Sequence, residues 1–161
     1  MKAEKRARTE SASAADSALV DVERAMVRIR RAINRGMFAD RLERALGPSF
    51  STGLASVLDA IEQQLETEDG VSVGGIAERI GVDQSRASRL VATAVEAGIV
   101  ERVASQADGR RVEIKVTPAG ERLRADVHRL RREFANELMA GWSANDRAQF
   151  ARLIKAFVRD L

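Results

Sequence analysis

Between Gly98 and Pro118 the spacing of apolar residues changes from helical to alternating and back, so this chain must build a β-hairpin between helices. Upstream, Ala87, Leu90, Val91, Ala94 and Val95 recur every three or four residues, the spacing of one helix face. Downstream, Val112, Ile114 and Val116 alternate with Glu113 and Lys115, as in a half-buried antiparallel strand. Residues 99–104 supply the partner strand, and Asp108-Gly109 within 105–110 forms the hairpin tip. Thr117-Pro118 then restarts a helix, with Thr as the cap and Pro at the first helical position.

Helices are expected on both sides. Leu19, Val22, Met26, Ile29, Ile33 and Met37 form one narrow stripe over 17–37, with Arg24, Arg28, Arg31 and Arg35 on the opposite face. Residues 1–16 have no apolar period and are expected to form a flexible polar tail. Gly47-Pro48 breaks the chain, and Ser51 can cap a helix with Leu54, Val57, Leu58, Ile61 and Leu65 inward. Asp59, Glu62 and Glu66 line one flank of that helix, where they can pair with the arginine stripe. After a turn at Glu68-Asp69-Gly70 and an extended piece over 71–73, Ser72 caps a short helix holding Ile76, Ala77 and Ile80. Gly81 ends it, Asp83 caps the next helix from Gln84, and Gly98 stops that one. The helix after the hairpin carries Leu123, Val127, Leu130, Phe134 and Leu138. Ser143 caps a last one with Phe150, Leu153, Ile154, Phe157, Val158 and Leu161.

Composition removes several function classes. With no Cys, disulfides, thiol redox sensing, iron–sulfur clusters and Cys-based zinc sites are excluded, and His128 is the one histidine. No metal, cofactor or catalytic residue is assigned. Glu62 and Glu66 at helical spacing, or His128 as a base, lack the glycine loop, nucleophile context or ligand cluster an enzyme needs. No apolar run approaches the roughly 20 residues of a membrane span, and residues 1–16 lack the apolar stretch of a secretory signal. A cytoplasmic protein without membrane contact is expected. The net charge is +3, but its distribution is uneven. Residues 45–78 hold no Lys or Arg, whereas 79–132 are rich in arginine, a localised basic surface of the kind nucleic acid requires.

Short helix, glycine-containing turn, second helix and hairpin make a winged helix-turn-helix. The expected fold is mainly α with a small β-hairpin wing: a winged-helix DNA-binding region over 46–117, and long dimerisation helices over 17–45 and 118–161. At about 100° per residue the second helix turns Ser85, Arg89, Ala92 and Glu96 outward, with Arg86 and Thr93 on one flank and Ser88 on the other. Small Ser85, Ser88 and Ala92 permit close approach, Arg86 and Arg89 can bond guanine edges or phosphates, and the N-terminal amides favour phosphate. Gln84 at the start of this helix and Ser72 at the start of the preceding one complete the helical candidates. In the wing, Asp108 can brace Arg110, and Arg110 and Arg111 are placed to enter a narrow minor groove.

The run Asp108-Gly109-Arg110-Arg111-Val112-Glu113-Ile114-Lys115-Val116-Thr117-Pro118-Ala119-Gly120 resembles the wing of the MarR-type winged-helix transcriptional regulators. It includes their Leu-Thr-x-x-Gly lead into the next helix, with Val116 where Leu is commoner. Residues 76–82, Leu90-Val91 and Ala97-Gly98-Ile99-Val100 are similar to the family's helix-turn-helix. The resemblance covers nearly all of the chain after residue 16. It implies a homodimer held by the first and last two helices, acting as a sequence-specific repressor on double-stranded DNA at a pseudo-palindromic operator. It also implies release by a small aromatic or phenolic effector. Without Tyr, and with one Trp and five Phe, an aromatic-lined pocket is not evident, and no ligand-binding residue is assigned. The rival reading, a winged-helix module for protein contacts without DNA binding, is favoured if Arg89 and Arg110 are tied up internally.

Overall fold

The computed structural model describes residues 2–47, 50–65, 70–105 and 112–159, with side chains from residue 16 onward. The wing tip, including Asp108, Arg110 and Arg111, therefore lies outside the described residues, as does Glu66. Two compact units divide between Phe50 and Ser51.

The first unit holds α1 (Lys2–Asn34) and α2 (Ala39–Leu46). α1 begins at Lys2 rather than near Ser17, so the expected tail is helical. The segment 2–16 contains neither Gly nor Pro and is rich in Ala, Glu, Lys and Arg, so helix propensity acts there without an apolar stripe. Gly36, at φ 74°, takes the left-handed turn out of α1. α2 was not expected from the sequence. Its eight residues are too few for a clear period, and no side chain caps its start at Phe38. Leu19, Val22, Met26, Ile29 and Ile33 are all exposed, and so are Arg24, Arg28, Arg31 and Arg35.

In the second unit, α3 (Thr52–Leu65), α4 (Val73–Ile80) and α5 (Gln84–Glu96) precede a hairpin of β1 (Val100–Ala104) and β2 (Val112–Val116). α6 (Pro118–Leu138) and α7 (Ala144–Val158) follow. One core unites the first five elements: Leu54, Val57, Leu58 and Ile61 of α3, Ile76 of α4, Val91 and Ala94 of α5, Val100 and Ile114 of the strands. The strands are antiparallel, with Val100 opposite Val116 and Arg102 opposite Ile114. On the other side of β2, the Ile114 amide donates to the Val71 carbonyl at 2.8 Å, so the extended piece before α4 adds a third edge contact.

Periodicity named the inward faces but not where the core stops. Leu65 at the end of α3 is 55% exposed, and Val112 at the outer end of β2 is 56% exposed. Both lie on the expected face, each next to a segment outside the described residues. α6 buries Val127 and Leu130, whereas Leu138 is exposed. α7 buries nothing: Phe150, Leu153, Ile154, Phe157 and Val158 are all exposed. The α6–α7 corner is nevertheless well defined. Arg147 donates to Asn136 Oδ1 (2.7 Å) and to the Met139 carbonyl (2.9 Å), and the Trp142 and Phe150 rings meet edge to face at 5.4 Å.

Candidate nucleic-acid interface

Capping chemistry builds the helix-turn-helix. Ser72 Oγ accepts from the Gly75 amide (3.1 Å) to start α4. Gly81, left-handed at φ 73° and ψ 39°, closes it by donating to the Ala77 and Glu78 carbonyls. Asp83 then accepts from the Arg86 amide at 2.8 Å to start α5. That amide is the main cause holding the Asp83 carboxyl below its ordinary range, against the opposing effect of desolvation and with help from the Ser85 amide and the Arg89 charge.

Capping changes one expectation. The Arg86 amide at the start of α5 is already taken by Asp83, so it is not open to a phosphate.

α5 packs with Ala87, Val91 and Ala94 fully buried, which turns Gln84, Ser85, Arg86, Arg89 and Thr93 outward to exposed positions. Ser88 and Ala92 are half-buried at the edge of this face, and Ser72 is half-buried at the start of α4. Thr93 Oγ1 donates to the Arg89 carbonyl one turn back (3.1 Å), leaving its oxygen as an acceptor. Neither Arg86 nor Arg89 has a side-chain hydrogen bond to the described residues. The structure thus brings Gln84, Ser85, Arg86, Arg89 and Thr93 together on one open face, with Ser88 at its margin. Two further cations are exposed on the hairpin strands, Arg102 on β1 and Lys115 on β2. Both belong to the basic stretch 79–132, but the sequence assigned neither to the interface.

Two carboxylates of the acidic flank of α3 have partners within their own unit. Asp59 accepts both arms of Arg131 on α6, at 2.7 and 2.6 Å, and Glu62 lies 3.0 Å from His128 Nε2 on the same helix. The Asp59 hydrogen bonds are the main cause raising Arg131 above its ordinary value. Spacing along α6, with His128 and Arg131 three residues apart as Glu62 and Asp59 are on α3, held the signal, but only with the helices paired does it become readable.

Among the described residues no group of His, Cys, Asp and Glu side chains can hold a metal ion. No helix there is long and apolar enough to cross a membrane.

Comparison with known proteins agrees with this geometry. Residues 55–111 match the MarR family model. No curated protein sequence matches the chain. A mutant of MepR from S. aureus superposes with a TM-score of 0.65 at 16% identity, covering 84% of this chain and 95% of its own. The S. aureus MepR–DNA complex gives 0.58 at 17% identity, covering 82% and 93%. The transcriptional regulator BldR from Sulfolobus solfataricus gives 0.60 at 24% identity, covering 87% and 97%. PcaV, a transcriptional regulator from Streptomyces coelicolor solved with its natural ligand, gives 0.54 at 22% identity, covering 81% and 89%. The chain therefore has the fold of the MarR-family winged-helix regulators and matches that family in sequence across its helix-turn-helix and the start of its wing.

Proposed function

We propose that this protein is a sequence-specific regulator of transcription, a repressor that binds double-stranded DNA as a homodimer and is released by a small molecule. The observation that carries the DNA reading is the open face of α5, where Arg86 and Arg89 are exposed with no side-chain hydrogen bond among the described residues. Arg89, at the centre of the helix, is assigned to a base edge in the major groove, where a guanidinium can bond guanine O6 and N7 together. Arg86, Gln84, Ser85, Ser88 and Thr93 flank it, and Ser72 is assigned to the backbone. Arg110 and Arg111 of the wing, with Asp108 bracing Arg110, are assigned to the minor groove. The MepR–DNA complex supports this choice of partner.

The dimer reading rests on unspent apolar surface. α7 exposes Phe150, Leu153, Ile154, Phe157 and Val158, and α1 exposes Leu19, Met26, Ile29 and Ile33. Stripes of that size on single helices mark an association surface. Two copies then place two α5 helices on a pseudo-palindrome, about 34 Å apart. Release by an effector follows the family resemblance and the liganded PcaV. Selection of bound duplexes from a random pool, repeated at two salt concentrations, tests the function. A pseudo-palindromic consensus is expected, and absence of any duplex binding at low salt refutes it. The protein-interaction reading gains nothing from Arg89, whose guanidinium makes no hydrogen bond to the described residues, and its other condition, Arg110, lies outside them.

A further inference from the structure

We infer that the Asp59–Arg131 and Glu62–His128 pairs are the positioning device that holds the DNA-reading lobe at one attitude to α6. The inference rests on the DNA-binding dimer proposed above, in which α6 belongs to the dimer scaffold.

Three observations lead there. First, α6 is anchored at its root. The Thr117 amide donates to the Ile99 carbonyl (3.0 Å), and its hydroxyl donates to the Gly98 carbonyl (2.6 Å) while accepting from the Gly120 amide (3.1 Å). Gly120 packs so closely that a Cβ there would lie 2.1 Å from the Ile99 oxygen. A root of this kind fixes a point, not a direction. Second, the two side-chain pairs lie far along the helix. At 1.5 Å per residue His128 is about 15 Å and Arg131 about 20 Å from Pro118, so the pairs act on a long lever. A slip of about 1 Å at that distance swings α6 by only about 3–4°. Third, α3 carries the same restraint into the lobe. Val57, Leu58 and Ile61 share the buried core with Val91 and Ala94 of α5, so whatever holds α3 to α6 also holds the face that carries Arg89.

Directional bonds suit this task better than apolar contact, which tolerates sliding. A guanidinium fork on a carboxylate sets distance and plane together. The energy available is small. The Arg131 and Asp59 side chains are 36% and 29% exposed, and the His128 and Glu62 side chains 34% and 38%. Pairs this wet contribute little to stability, so their worth lies in geometry. A dimer reading two half-sites needs that geometry, because both α5 helices must arrive at one spacing.

The test uses the full-length protein and the duplex it selects from a random pool. Affinity is measured for that duplex, for versions with one base pair added or removed between half-sites, and for an unrelated duplex. Arg131→Gln is expected to weaken binding to the selected duplex by about 5- to 10-fold, the low end of remote coupling. It is also expected to flatten the penalty for altered spacing and leave the unrelated duplex unchanged. Arg131→Lys, which keeps the charge but not the fork, should fall between. The exchange Asp59→Arg with Arg131→Asp should restore the spacing preference. Unchanged spacing preference in Arg131→Gln overturns the inference. So does a loss shared by all duplexes, or one that tracks the folded fraction by circular dichroism. If the wild type binds no duplex at all, the DNA-binding reading itself fails.

Discussion

At the scale of single residues, Arg89 and Gly120 illustrate opposite constraints. Arg89 projects from the middle of the exposed α5 face and supports nothing in the core. Arg89→Ala is therefore expected to leave the melting temperature near its original value. Binding to the selected duplex should weaken by about 1–3 kcal/mol, with relaxed preference at one base pair, as a selected-sequence profile would record. Gly120 is constrained by space, since a side chain would meet the Ile99 carbonyl and Val116 Cγ1. Gly120→Ala should cost about 1–3 kcal/mol of stability in urea unfolding, by overpacking at the root of α6. Asp83 adds a pH signature. Its folded-state pKa is lowered, chiefly by the Arg86 amide, so its contribution is complete above the unfolded value and is lost as pH falls through the folded one. With an unfolded carboxyl near about 3.9, Asp83→Asn should flatten the pH dependence of stability below roughly pH 4 and leave its slope above pH 5 unchanged.

Among elements, the contrast between α1 and α3 decides which charges matter. Asp59 and Glu62 of α3 are engaged by α6, whereas the Arg28 and Arg31 side chains of α1 make no hydrogen bond or ion pair to the described residues. Replacing Arg28 and Arg31 together with Gln is then expected to shift unfolding free energy by no more than about 0.5 kcal/mol, as for surface positions without a special contact. A larger loss on thermal or urea unfolding would assign these arginines a structural partner. α5 is built the other way: three small or branched residues, Ala87, Val91 and Ala94, are fully buried, and Arg86 and Arg89 stand exposed on the outer face. Local signals made this helix legible in advance. An Asp cap, a left-handed Gly81 before it and an i, i+4, i+7 apolar face all act within a few residues. α2 was not legible, because eight residues span barely two turns and its start lacks a capping side chain.

For the molecule as a whole, the unresolved balance is apolar surface. α7 contributes no buried residue while exposing five large hydrophobic ones, a poor bargain in water for a helix that forms so definite a corner with α6. The expected outcome is a dimer by light scattering at micromolar concentration. Leu153→Glu with Phe157→Glu should convert it to a folded monomer with native circular dichroism and sharply weaker binding to the selected duplex. Wild-type monomer, or a dimer indifferent to the double substitution, would remove α7 from the interface.

What the sequence determined by itself was local. Caps at Ser72, Asp83, Thr117 and Ser143, the glycine at the end of α4 and the alternation over Val112, Ile114 and Val116 depend on neighbours in the chain, and all are found where the residues place them. The outward face of α5 follows from the same helical geometry. Tertiary structure decided the rest. A stripe of carboxylates on α3 announces that a cation will meet it, but Arg131 and His128 became the partners only because α6 packs there, an event set by contacts some seventy residues away. Likewise, periodicity marks Leu65 and Val112 as inward-facing, whereas both are more than half exposed. Side-chain direction is a property of the local backbone, but partnership and burial belong to the packed molecule.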